Sequence, residues 1–173
     1  MEVKPEIKFG ALGAILLISW TLIQYYLGFH SHNLQLEFLS GYGNSLIVFI
    51  MLFIGIREKR VDWGNKFTLR KGMKSGMYQL VLTASVASAF MFFYDYKFNN
   101  MWVERMVQWQ QEHGASNVFF IKVANDQEGN LAILSNTETH LCLYFLGIIL
   151  VGASMAFMIS ASLLKNKTAD TRK

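Results

Sequence analysis

Long uncharged apolar stretches alternate with basic and polar segments along the chain. Four stretches lack Asp, Glu, Lys and Arg, namely residues 10–29, 42–56, 76–94 and 141–164. About 20 apolar residues in a helix cross the hydrocarbon core, and a helix satisfies its own backbone hydrogen bonds there. The second stretch is short, so its span must begin near residue 38. We predict an all-α membrane protein, with one integral domain over 1–173 and four transmembrane helices at about 10–29, 38–56, 76–96 and 141–164.

The composition agrees with this class. Of the 173 residues, 53% are hydrophobic and only 16% are charged, a balance that excludes a disordered chain or a coiled coil. The single cysteine, Cys142, cannot form an intramolecular disulfide.

The Lys and Arg residues divide unequally between the two sides of the membrane. The N-terminal tail, the second connection and the C-terminal tail hold 13 of them, whereas the first connection has none and the third has 3. The positive-inside rule therefore places both termini and the second connection in the cytoplasm. Because these cations lie beside predicted membrane ends, they do not indicate a partner among nucleic acids.

The long outer segment, about 97–139, carries its own pattern. Apolar residues recur at helical spacing after Asn99 and Asn100, and Gly114 is a typical stop, which predicts an outer amphipathic helix over about 100–113. Residues 118–124 could form a strand paired with 131–134, or a second short helix. Periodicity does not separate these two alternatives.

Small residues repeat every four positions in the third and fourth spans, a spacing that lets helix backbones approach closely. The predicted packing residues are Ala84, Ser88, Gly152, Ala156 and Ser160. The repeat does not show whether the neighbouring helix belongs to the same chain. The predicted partners are therefore the lipid bilayer and either another membrane protein or further copies of this chain.

The basic second connection has two compatible interpretations. Its cations can be topology determinants, with Trp63 as an interfacial anchor. Alternatively, Lys71 and Lys74, with open helix-start amides near Ser75 and Gly76, could hold a lipid headgroup phosphate.

Metal binding is the weaker interpretation of the histidines and the cysteine. The candidate ligands are His30, His32, His140 and Cys142, which could meet if the first and fourth helices were neighbours. Their spacing matches no ligand signature, so we predict no metal and no cofactor.

No enzyme signature is present in the sequence. It has no nucleophile elbow, Gly-rich phosphate loop, HExxH motif or paired carboxylates within a span. Asp95, at the end of the third span, is expected to be exposed at the interface. We therefore predict no catalytic residue.

A series of weak motifs, in a set order, resembles a known family. It comprises Gly55-Ile56-Arg57 with Arg60, then Phe67, Lys74-Ser75-Gly76, Tyr94 with Tyr96, an outer helix ending at Gly114, and a last span reaching Leu164-Lys165. In these features the chain resembles the bacterial four-span domain-of-unknown-function family four-one-nine-nine. The resemblance implies a small inner-membrane protein of Gram-negative bacteria, with no assigned reaction and no catalytic residue. Asn99 and Asn100 stand where that family often has a proline.

The expected function is a non-enzymatic accessory or scaffold subunit that presents its outer helix to a partner. One alternative is a lipid-handling, transport or flippase component that binds anionic headgroups at the second connection. Another is a membrane enzyme acting on a lipid-linked substrate.

Overall fold

Four long helices make up the fold of this protein. The computed structural model describes residues 4–31, 33, 36–98, 101, 105 and 137–170. The helices are α1 (Pro5–Tyr26), α2 (Glu37–Trp63), α3 (Leu69–Lys97) and α4 (Thr137–Asp170), with a 3-10 turn at Gly64–Lys66. Each contains a stretch long and apolar enough to cross a membrane. The predicted all-α fold with four apolar helices is therefore confirmed. Apart from Met101 and Arg105, the predicted outer helix and both alternatives for 118–134 lie outside the described residues.

The helices run alternately up and down, with α2 and α3 at the centre of the contacts. Helix α1 packs on α2 and α3, and α4 packs on the same two helices, so α1 and α4 occupy opposite corners of the bundle. The buried core is built from Leu17 of α1, Leu52 and Ile56 of α2, Leu80 and Ala84 of α3 and Ala156 of α4. The outward faces are also apolar, which suits helices surrounded by lipid.

Helix α1 begins and ends earlier than the apolar stretch suggests. Pro5 stands at its first turn, where the missing N–H costs no helix hydrogen bond. At the other end Gly28 adopts φ 76°, and the N–H of Phe29 donates to the Gln24 carbonyl at 3.0 Å. This is a Schellman ending, which requires a left-handed residue that glycine supplies. The helix therefore stops at Tyr26 instead of Phe29.

Helices α2 and α3 extend well beyond their apolar stretches into the basic connection. Helix α2 continues through Arg60 to Trp63, and α3 begins at Leu69, where the Thr68 side chain accepts a hydrogen bond from the Lys71 N–H at 3.3 Å. The amides near Ser75 and Gly76 thus lie inside α3, bonded within the helix. The prediction of open amides near Ser75 and Gly76 was therefore wrong, because the helix begins about two turns earlier, where Thr68 caps it.

Candidate functional site

A seam of small residues brings α3 and α4 into close contact. A Cβ added at Gly76 would lie 2.8 Å from the Ala156 Cβ, and one added at Gly72 would lie 2.5 Å from the Ser160 Oγ. A Cβ at Gly152 would overlap the Leu80 side chain. These pairs recur every four residues on both helices, as two backbones packed closely through small residues require.

The seam involves three of the predicted packing residues and a glycine pair that the sequence analysis missed. Gly152, Ala156 and Ser160 all face α3, and Ala156 and Ser160 have 0% exposure. Their partners on α3 begin with Gly72 and Gly76, a GxxxG spacing hidden in the basic run RKGMKSG. The signal was available, but the cations around it suggested a connection instead of a helix.

The other two predicted packing residues lie further along α3. Ala84 is fully buried in the core, beside Leu80 and Ala87. Ser88 is only half-buried, although its hydroxyl oxygen is buried and bonds to no side chain or backbone group among the described residues. Ala84 therefore lies at the centre of the bundle, whereas Ser88 lies at its margin.

A polar stripe on α3 faces α1. Ser75, Gln79 and Thr83 follow one another at one-turn spacing, and each is less than 5% exposed. The Thr83 hydroxyl donates to the Gly10 carbonyl at 2.9 Å, and the Ser75 hydroxyl donates to the Glu6 carboxylate at 3.1 Å. Two of the three polar side chains thus tie α3 to α1.

Gln79, the middle residue of the stripe, differs from its neighbours. Neither its Oε1 nor its Nε2 has a hydrogen-bond partner within the described part of the chain, although both atoms are buried. The side-chain amide occupies space left by glycine on α2, since a Cβ at Gly55 would overlap Oε1. A Cβ at Gly10 of α1 would lie 3.1 Å from the backbone carbonyl oxygen of Gln79.

The unbonded amide leads to a test by substitution with methionine, which has nearly the same shape. Replacing an unpaired buried polar group by an apolar one of equal size is neutral or stabilising. We therefore expect Gln79→Met to raise the melting temperature in detergent by a few degrees. The matched control, Thr83→Val, removes a made hydrogen bond and should lower it. A lower melting temperature for Gln79→Met would mean that the amide bonds a group of its own.

Ion pairs and a hydrogen bond join α1, α2 and α3 at the end of the bundle that holds the basic connection. The Lys59 ammonium of α2 lies 3.2 Å from the Glu6 carboxylate of α1, with the side chains 15% and 14% exposed. Glu6 also accepts the hydrogen bond from Ser75 of α3. A second, exposed pair joins Lys8 and Glu58 at 3.4 Å. The N-terminal turn of α1 is thus fixed to both neighbouring helices.

The two predicted headgroup residues lie in the first turns of α3. The Lys71 ammonium donates to the Lys66 carbonyl at 3.0 Å and lies 5.4 Å from the centre of the Trp63 ring. Lys74 is exposed, and its ammonium lies 5.6 Å from the Tyr78 ring. Among the described residues, no carboxylate lies within ion-pair distance of Lys71 or Lys74.

The opposite end of the bundle is held by a second group of polar contacts. The Ser40 hydroxyl donates to the Gln24 amide oxygen at 3.0 Å, which joins α2 to α1. His30 Nδ1 lies 2.6 Å from the Tyr94 hydroxyl, and both side chains are buried. Asp95 is only 6% exposed, so the expectation that it is exposed was wrong. It lies on the face of α3 that packs into the bundle. Its place near the end of the span does not show which face of the helix it occupies.

The metal candidates do not form a cluster in the described part of the chain. His30 bonds to Tyr94, and Cys142 is exposed on α4. Helices α1 and α4 are diagonal in the bundle, so the adjacency on which the candidate site depended is not present there. His32 lies outside the described residues, as does the side chain of His140.

Comparison with known proteins places the chain in a family. A family model described as "Protein of unknown function (DUF4199)" matches residues 8–166, which include nearly all of the four helices. The chain belongs to this family. The resemblance inferred from the motif order is thereby confirmed, and DUF4199 carries no assigned activity in that description. No curated protein and no solved structure matches the chain significantly. The protein is accordingly an uncharacterised member of DUF4199 with four candidate membrane-spanning helices.

Proposed function

We propose that the protein is a non-enzymatic accessory or scaffold subunit of the bacterial inner membrane, with both termini in the cytoplasm. One observation carries this proposal: several buried polar side chains of the spans bond across helices of the same chain. Thr83 and Ser75 join α3 to α1, Ser40 joins α2 to α1, and Tyr94 joins α3 to His30. Polar groups used in this way hold a bundle together instead of acting on a substrate.

A rigid bundle of this kind suits a subunit that presents a surface to another protein. The small-residue seam joins α3 to α4, and the Glu6 carboxylate joins α1 to Lys59 of α2 and Ser75 of α3, so the four helices form one connected frame. We place that surface on the outer segment, where Trp102 and Trp109 recur at helical spacing in the predicted helix. The partner is either another membrane protein or a second copy of this chain.

Affinity purification from native membranes in a mild detergent tests the proposal. We expect a membrane protein, or a second copy, to co-purify in fixed stoichiometry and to be lost in the Trp102→Ala/Trp109→Ala variant. The matched control, Phe92→Ala/Phe157→Ala, removes two aromatic rings that are about half exposed on the bundle surface, and should retain the partner. A monomer that co-purifies with no protein would contradict the proposal. Turnover of a lipid-linked substrate by the purified chain would favour the enzymatic alternative.

A further inference from the structure

The cations at the basic end of the bundle fall into two groups. Lys8 and Lys59 have acidic partners, Glu58 and Glu6, so their charges are largely balanced within the chain. Lys71 and Lys74 have no carboxylate partner among the described residues, and neither have the other four cations of the connection, Arg57, Arg60, Lys66 and Arg70. The connection from Arg57 to Lys74 contains seven Lys and Arg residues against two acidic ones. Its unbalanced positive charge is thus centred on the first turns of α3.

Trp63 marks the level at which this charge lies. It ends α2, and its ring packs on the buried Phe67, with the ring centres 6.2 Å apart. The ammonium groups of Lys59 and Lys71 lie 5.2 and 5.4 Å from the centre of that ring. Tryptophan prefers the boundary between hydrocarbon and headgroups. The Lys71 ammonium is therefore held where lipid phosphates lie.

Lys71 is also oriented by contacts that leave donors open. Its ammonium uses one N–H for the Lys66 carbonyl, at 3.0 Å, so two N–H groups remain. Lys74, three residues on, lies on the same side of the helix and is exposed. Its long side chain can extend toward the headgroups from one turn deeper. Two ammonium groups without carboxylate partners among the described residues thus border one patch of the bundle surface.

We propose that Trp63, Lys71 and Lys74 form a binding site for the phosphate of an anionic phospholipid, in the leaflet that the basic connection faces. The occupant follows from charge complementarity at headgroup depth, where two cations without acidic partners meet a surface rich in phosphate. This site goes beyond the accessory role, because a scaffold packs and presents a surface without any specific lipid.

Native mass spectrometry of the detergent-purified protein, titrated with phosphatidylglycerol, tests the site. Lys71→Ala/Lys74→Ala should weaken phosphatidylglycerol retention by about tenfold or more, and high salt should have the same effect on the parent. Phosphatidylcholine, which has no net charge, should be retained weakly by parent and variant alike. Lys71→Arg/Lys74→Arg keeps both charges and should retain the lipid nearly as the parent does.

The matched control is Lys97→Ala, at the opposite end of the same helix. Lys97 also lies beside an aromatic ring, 5.4 Å from the centre of Tyr96, but has no second unpaired lysine one turn away. The Lys97→Ala variant should bind phosphatidylglycerol as the parent does. Equal lipid occupancy in the parent and the double alanine variant would overturn the proposal, as would an equal loss in Lys97→Ala. Neither result bears on co-purification of a protein partner, so the accessory role is tested separately.

Discussion

We expect Gly76→Ala to destabilise the bundle by about 1–3 kcal/mol, as overpacking of a close helix contact does. The added Cβ would lie 2.8 Å from the Ala156 Cβ and 3.1 Å from the Ile56 Cδ1. The Ala156 Cβ is fixed to the α4 backbone and cannot rotate away, so the two helices must separate. Thermal unfolding in detergent, followed by circular dichroism, measures the effect.

Two glycines of α4 make this prediction specific. Gly152→Ala should cost less than Gly76→Ala, because the Cβ would meet the flexible end of Leu80, whereas Gly152→Leu should destabilise strongly. A Cβ at Gly147 has no atom of the described residues within 4 Å, so Gly147→Ala should leave stability unchanged or raise it slightly through helix propensity. If Gly76→Ala and Gly147→Ala melted alike, the α3–α4 seam would not be a close contact.

We expect Lys59→Met to destabilise the protein by about 1–3 kcal/mol, below the cost of breaking a fully buried ion pair. The substitution leaves the Glu6 carboxylate, which is 14% exposed, with the Ser75 hydroxyl as its remaining side-chain partner. Chemical or thermal unfolding of the purified protein provides the measurement. The cost should fall when Glu6→Gln is added, since no unpaired charge then remains.

The exposed ion pair at the same end of the bundle is the control. Lys8→Met removes the contact with Glu58, whose side chains are 54% and 39% exposed, and exposed pairs contribute about 0–1 kcal/mol. Lys8→Met should therefore have a clearly smaller effect than Lys59→Met. Equal effects, or no recovery in the Glu6→Gln/Lys59→Met variant, would show that the Glu6–Lys59 pair does not join α1 to α2 as the geometry indicates.

The all-α fold class and the four apolar helices could be predicted from the sequence, because an uncharged apolar run long enough to cross a bilayer is nearly always a helix. The sequence predicted the ends of α2 and α3 less well. Hydropathy detects the membrane interior, whereas the helices continue as far as Trp63 and Leu69 through capping and ion pairs with residues distant in the sequence. The GxxxG pair at Gly72 and Gly76 was overlooked for the same reason.

Burial of single polar residues depends on which face of a helix meets a neighbour. The sequence does not show that Ser75, Gln79 and Thr83 form one buried stripe, since it does not state that α1 packs on that face of α3. Asp95 was expected to be exposed because it ends the span, yet it faces inward. The orientation of each helix about its own axis therefore had to come from the structure.

The central claim is that the chain crosses the membrane four times, with both termini and the basic connection in the cytoplasm. Labelling of spheroplasts with a membrane-impermeant maleimide tests it most directly, in a Cys142→Ala background that removes the only native cysteine. Gln127→Cys, in the outer segment, should be labelled at once, and Lys66→Cys, between α2 and α3, only after permeabilisation. Immediate labelling of Lys66→Cys with protection of Gln127→Cys would reverse the orientation, and immediate labelling of both would contradict the four-span topology.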